Sequence, residues 1–154
     1  MTSTRFYARE DRSDRNRAYG YSRVKDAFQR TDQSLTSSVL GDGSLYSSVE
    51  DLRKWDRALY GSQLVKSETL EQAFAPGAGT GSDAYGFGWF IDTYRGISDM
   101  WHGGNTMGFT SSIYRFPGRR FTVIALTNRN NDLLPVPVHK IIDMCLFDSD
   151  APPK

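Results

Sequence analysis

The chain has 154 residues, 38% hydrophobic and 24% charged, which is enough apolar material for one ordinary globular domain and argues against wholesale disorder. Nineteen basic side chains nearly balance 18 acidic ones, so no strong field draws the chain to nucleic acid. No run approaches the roughly 20 apolar residues of a membrane span, and the first residues lack the apolar centre of a signal peptide, which leaves the compartment open.

Residues 1–40 are polar, with scattered Phe6, Tyr7, Tyr19, Tyr21 and Phe28 and no sustained period of 2 or 3.6, so an irregular wrapping segment is expected there. Its crowd of Arg5, Arg9, Arg12, Arg15 and Arg17 is interleaved with Glu10, Asp11 and Asp14, the pattern of a solvated surface. A helical region follows over 41–82. It opens with the turn cluster Gly41-Asp42-Gly43-Ser44, and Ser48-Val49-Glu50-Asp51 then matches a capping box that starts a helix at Ser48. Leu52, Trp55 and Leu59 make its buried stripe, Arg53, Lys54 and Arg57 point elsewhere, and Gly61 provides the stop. A second helix, 67–74, has its cap at Ser67 and ends before Pro76; a Gly-rich loop covers 76–82.

From residue 83 to 128 the pattern is that of an antiparallel sheet. Strands are expected over 85–94, about 99–102, 109–116 and 121–128, and Pro117-Gly118-Arg119 is a tight turn that makes the last two neighbours. A closing helix, 135–147, spaces Val138, Ile141, Ile142 and Cys145 on one face, with Pro135 or Pro137 in its first turn. The single cysteine, Cys145, excludes an intrachain disulfide and is expected in the core. His139 reads as a surface residue, because no other His, Cys or carboxylate shares a ligand spacing with it; neither metal nor cofactor is expected. The fold class is α+β, an antiparallel sheet of about three to four strands flanked by helices.

At this point a family is recognisable. Gly43-Ser44-Leu45-Tyr46-Ser47-Ser48-Val49-Glu50-Asp51-Leu52 resembles the glycine-rich turn and helix start of class C β-lactamases, D-alanyl-D-alanine carboxypeptidases and related esterases. Tyr85-Gly86-Phe87-Gly88-Trp89 is similar to the strand that follows. Trp101-His102-Gly103-Gly104-Asn105-Thr106-Met107-Gly108-Phe109-Thr110-Ser111 resembles the H-x-G form of their third motif, and Val123-Ile124-Ala125-Leu126-Thr127-Asn128 the last strand of their sheet. The opening Met1-Thr2-Ser3-Thr4-Arg5-Phe6 is similar to a G-M-x-x-T-x-F stretch that comes after the first two motifs. The resemblance therefore implies the C-terminal portion of the β-lactamase/transpeptidase-like fold, a single partial domain over 1–154. It also implies that the S-x-x-K nucleophile and Y-x-N motifs lie upstream.

By that resemblance His102 is the third-motif residue that hydrogen-bonds to serine and tyrosine hydroxyls. Gly103 and Gly104 leave the strand bare for an acyl-amide, and the Asn105 N–H is half of an oxyanion hole. Ser22-Arg23-Val24-Lys25 does spell S-x-x-K, a spacing that 16 serines and five lysines bring about by chance, and Tyr46-Ser47-Ser48 is a capping turn rather than a motif tyrosine. Three functions are expected to compete. The first is a C-terminal fragment of a serine hydrolase, inactive alone and completed by a missing N-terminal part. The second is a non-catalytic remnant or binding module that forms a homodimer or larger oligomer through the exposed edge of the 121–128 strand or a swapped segment. The third is a minimal enzyme using Ser22 and Lys25.

Overall fold

The computed structural model describes residues 1–6, 16–32, 39–41, 43–77, 84–130 and 138–147. Three strands lie in the segment expected to be irregular: β1 (Arg5–Phe6), β2 (Tyr21–Val24) and β3 (Ala27–Arg30). β2 and β3 form an antiparallel hairpin, and β1 pairs with β4 (Leu45–Tyr46). The hairpin left no apolar alternation in the sequence because its side chains are exposed or half-buried. Polar contacts hold it instead. The Asp32 carboxylate pairs with Arg17 and accepts the Gly20 N–H at 3.0 Å, while Ser22 Oγ bonds Thr31 at 2.6 Å and Asn130 at 2.5 Å.

The first helix, α1 (Val49–Ala58), is capped by Ser48, whose hydroxyl accepts the Asp51 N–H at 3.3 Å. The capping box is only half formed, because Asp51 turns away from Ser48. Its carboxylate accepts from the Ser3 N–H at 2.7 Å, Thr4 Oγ1 at 3.0 Å and Lys54 at 2.8 Å, tying the first residues to the helix. Leu59 is buried and Leu52 and Trp55 half-buried, yet the side chains set deepest in this helix are the charged Asp51 and Asp56. α2 (Ser67–Ala73) starts one residue earlier than expected: Lys66 is its N-cap and no side chain bonds there.

The main sheet has five strands in the order β5-β6-β7-β8-β9, all antiparallel: β5 (Ala84–Tyr85), β6 (Phe90–Tyr94), β7 (Ile97–Thr106), β8 (Phe109–Phe116) and β9 (Phe121–Thr127). The number exceeds the expected three to four because 85–94 is a hairpin rather than one strand. Gly86 N–H donates to Trp89 O at 2.8 Å, Gly88 takes φ +78°, and the chain turns back on itself. Gly86 is also the only residue type that fits, since a Cβ there would lie 2.2 Å from the Ala73 carbonyl oxygen at the end of α2. β10 (Arg129–Asn130) leaves the sheet and pairs parallel with β2.

Two apolar clusters cover the two faces of the sheet. On one, Leu59, Trp89 and Met100 pack with Trp55, Leu70, Phe74 and Ile113, the indoles of Trp55 and Trp89 stacking at 5.8 Å. On the other, Phe116 and Val123 meet Val138 and Ile142 of α3 (Val138–Leu146). Cys145 is therefore exposed, not core: the buried face of this short helix is carried by Val138 and Ile142 one turn apart, and Ile141 and Cys145 fall on a neighbouring face. Pro135 and Pro137, and most of the Gly-rich 76–82 loop, lie outside the described residues. A buried ion pair pins α1 to the sheet. Arg115 of β8 donates from Nε to Asp56 at 2.5 Å, Thr122 adds a bond at 3.1 Å, and the guanidinium lies 4.9 Å from the Tyr60 ring centre. Removing one partner of such a pair costs about 3–5 kcal/mol, because the other charge is left buried.

Candidate active site

β7 is twice as long as its neighbour β6, and the pairing ends at Phe90 opposite Trp101. Residues 102–106 run on with β8 on one side and, among the described residues, no strand on the other. The strand expected at about 99–102 thus extends further than its apolar residues alone indicated, because glycine and asparagine carry no β signal.

The direction of the backbone groups follows from the two turns that flank β7. Arg95-Gly96, with φ of +49° and +83°, closes the β6–β7 hairpin on the pair Tyr94 and Ile97, and Met107-Gly108 closes β7–β8 on Thr106 and Phe109. The pair next to a two-residue loop exchanges both backbone bonds, and hydrogen-bonded pairs then alternate. Ile97, Asp99 and Trp101 accordingly bond β6, while His102, Gly104 and Thr106 bond β8. Gly103 and Asn105 are left with N–H and C=O facing the vacant side, and both are exposed. Such an edge can take an extended acyl-amide as an added strand.

His102 lies at the start of this free stretch, half-buried. Its Nε2 is 3.0 Å from the Tyr85 hydroxyl, and its ring lies 5.8 Å from that of Phe90 with 23° between the planes. Trp101 before it is clamped between Phe90 at 4.4 Å and Tyr114 at 5.5 Å. The two glycines differ. A Cβ on Gly104 would come within 2.8 Å of Ser111 Oγ, whereas on Gly103 the nearest atom would be 3.6 Å away, so Gly103 is bare where a side chain has room. The far end of the stretch is fixed by Gly108, whose φ is +82° and whose Cα hydrogens face Gly20: a Cβ would meet the Gly20 backbone at 2.7 Å. The Tyr21 N–H donates to the Gly108 and Asn128 carbonyls at 3.2 and 3.0 Å, docking the β2–β3 hairpin against the β7–β8 turn.

Two residues here were not among those the sequence singled out for the site. Tyr85, partner of His102, stood in view as the first letter of a Tyr-Gly-x-Gly run, but a continuous strand would have carried it away from β7. Asp99, on β7, is buried opposite Asp92, and its Oδ1 has no hydrogen-bond partner among the described residues; burial raises its pKa above the ordinary carboxylate value, and the facing Asp92 charge adds to this.

The alternative nucleophile does not assemble. Ser22 lies in β2, Lys25 lies in the hairpin turn at φ +55°, and the two do not share a helical turn. His139 is exposed on α3, stacked on Tyr94 at 5.0 Å, and no group of three possible ligands for a metal exists among the described residues. Neither does any helix among them have the length and apolarity to cross a membrane.

On the far side of the sheet β9 is, among the described residues, an edge strand, the position expected of the 121–128 segment. A groove of about 850 Å³ runs along it, lined by Arg53, Arg57 and Tyr60 of α1, Arg120 and Ile124 at β9, and Ile141 of α3.

A family model described as Beta-lactamase matches residues 1–141. Penicillin-binding protein 4* of Bacillus subtilis (strain 168) is 30% identical over an alignment 149 residues long, which covers 86% of this chain and 32% of that protein. The chain thus spans about a third of the length of this curated relative. Among solved structures, a penicillin binding protein from Bacillus halodurans superposes with a TM-score of 0.76 at 22% identity, over 92% of this chain and 44% of that one, a likeness of fold. The octameric penicillin-binding protein homologue from Pyrococcus abyssi gives a TM-score of 0.70 at 26% identity, over 83% and 30%.

Proposed function

From the premise that this chain belongs to the Beta-lactamase family, we propose that it is the C-terminal part of a serine hydrolase that cleaves an amide, β-lactam or ester through an acyl-enzyme. The nucleophilic serine, with the lysine and tyrosine that serve it, is carried by a separate N-terminal part. In this reading the serine oxygen attacks the acyl carbon, its proton passes through the hydroxyl and amine groups of that part to the leaving group, and water later releases the acyl group. His102 holds the hydroxyls from across the cleft, and Gly103 and Gly104 let the substrate lie flat on β7. The Asn105 N–H donates to the developing oxyanion together with the amide of the nucleophile itself. Half a hole stabilises little, so the chain alone is inactive.

The observation that supports this reading is the free stretch 102–106 of β7, with the amides of Gly103 and Asn105 turned to the vacant side. Mixing the chain with a separately made N-terminal part is expected to restore hydrolysis of a chromogenic ester or β-lactam. A folded, soluble mixture that stays inert contradicts it.

A second reading is favoured by the β9 edge: a non-catalytic remnant that self-associates there. Alternation from the β8 ladder leaves Thr122, Ile124 and Leu126 with outward backbone groups, a template for a second copy. The solved relative from Pyrococcus abyssi is itself described as octameric. Sedimentation at micromolar concentration is expected to give a dimer or larger species; a sharp monomer removes this reading.

A further inference from the structure

Tyr85 and His102 come from opposite ends of the β5–β6–β7 meander, and their polar tips meet at 3.0 Å. The rest of both rings is apolar packing: Tyr85 stands edge-on to Phe90 at 4.7 Å, and the imidazole lies nearly parallel to the same ring. Three features hold the phenol in place. Gly86 must be glycine, the Gly86–Trp89 bond closes the turn, and the Phe87 N–H donates to the Ala73 carbonyl at 2.9 Å, anchoring the turn to α2.

A neutral imidazole has one N–H and one lone pair, and the partner of one nitrogen decides what the other offers. A phenol O–H is a stronger donor than a neutral imidazole N–H, and the imidazole lone pair a stronger acceptor than a phenol oxygen. The favoured sense of this bond is therefore O–H to Nε2, which leaves the proton on Nδ1. The setting beside Phe90, partly withdrawn from water, strengthens the preference.

We propose that Tyr85 is a positioning residue for His102, fixing it as the Nδ1–H tautomer so that the ring presents a donor, not a base, on its other side. The consequence rests on reading His102 as the third-motif residue. That position takes lysine or histidine, and an ammonium can only donate; a neutral histidine does the same work only if an N–H remains for the cleft. Tyr85 supplies that condition by occupying Nε2.

The test reads the ring itself, on this chain alone, so an inert mixture of halves leaves it standing and its failure leaves the hydrolysis experiment standing. Long-range nitrogen–proton NMR at alkaline pH, where imidazole is neutral, reports the tautomer; the chain has two histidines, and the His139→Gln variant assigns them. Nδ1–H is expected as the major form of His102, changing to mainly Nε2–H in Tyr85→Phe, which keeps the ring packing. Nε2–H in the unsubstituted chain overturns the proposal whether or not the variant folds. So does a tautomer that Tyr85→Phe leaves unchanged.

Discussion

Two buried carboxylates on opposite sides of the sheet respond to pH in opposite senses. Asp51 is held far below the ordinary carboxylate range, first by its bond from Lys54 and then by the Ser3 N–H and Thr4, against the cost of burial. Its contribution is present above about pH 4 and is lost as the pH falls towards its folded value. For Asp99, burial first and the Asp92 charge next raise the pKa, and they outweigh the backbone hydrogen bond from Tyr94 and the His139 charge that lower it, so its folded form favours the proton. The stability it contributes is complete below about pH 4 and is lost as pH rises through the raised value. Asp99→Asn is therefore expected to have a higher urea midpoint than the parent at pH 8, with the difference closing as the pH approaches 4. A difference that stays constant across that range refutes the assignment of Asp99 as an acid whose burial outweighs its partners.

The docking of elements depends on two glycine backbones that touch. Gly108 has a left-handed φ, and a Cβ there would lie 2.7 Å from the Gly20 backbone, so Gly108→Ala imposes both backbone strain and displacement of the β2–β3 hairpin. The expected loss is about 1–3 kcal/mol in urea unfolding, with exchange of the Tyr21 amide accelerated more than that of β8 amides. Equal acceleration throughout contradicts a local docking role. What the sequence displayed at this scale depended on whether burial left a period. α1, β8 and β9 carried apolar stripes or β-branched runs and were legible nearly to the residue. The β2–β3 hairpin was not, because ion pairs and hydroxyl bonds hold it and exposed strands have no alternation to read. The β5–β6 turn was hidden in the opposite way, since aromatic residues flank it so densely that Gly86 and Gly88 looked like interruptions of a strand. The 101–111 run stood out only through a resemblance; its long free edge followed only from β6 stopping at Phe90.

Among the described residues the sheet has two unequal open sides. The β7 side is bare over residues 102–106, flanked by His102 and Tyr85, and is polar and accessible. The β9 side lies in a groove whose walls carry Arg53, Arg57 and Arg120, while Asp56 is already committed to Arg115. A two-fold copy paired along β9 brings like charges together, so self-association at this edge is expected to strengthen with added salt as that repulsion is screened. The proposed N-terminal part carries no such symmetry, and it has to deliver a serine to the β7 side for the hydrolase reading to hold. Labelling with a fluorophosphonate, read by peptide mass spectrometry on the chain alone and mixed with a separately made N-terminal part, tests that requirement most directly. No adduct is expected on this chain in either sample, and an adduct is expected on a serine of the N-terminal part in the mixture. An adduct on Ser22, or on any other serine of this chain, would contradict that requirement.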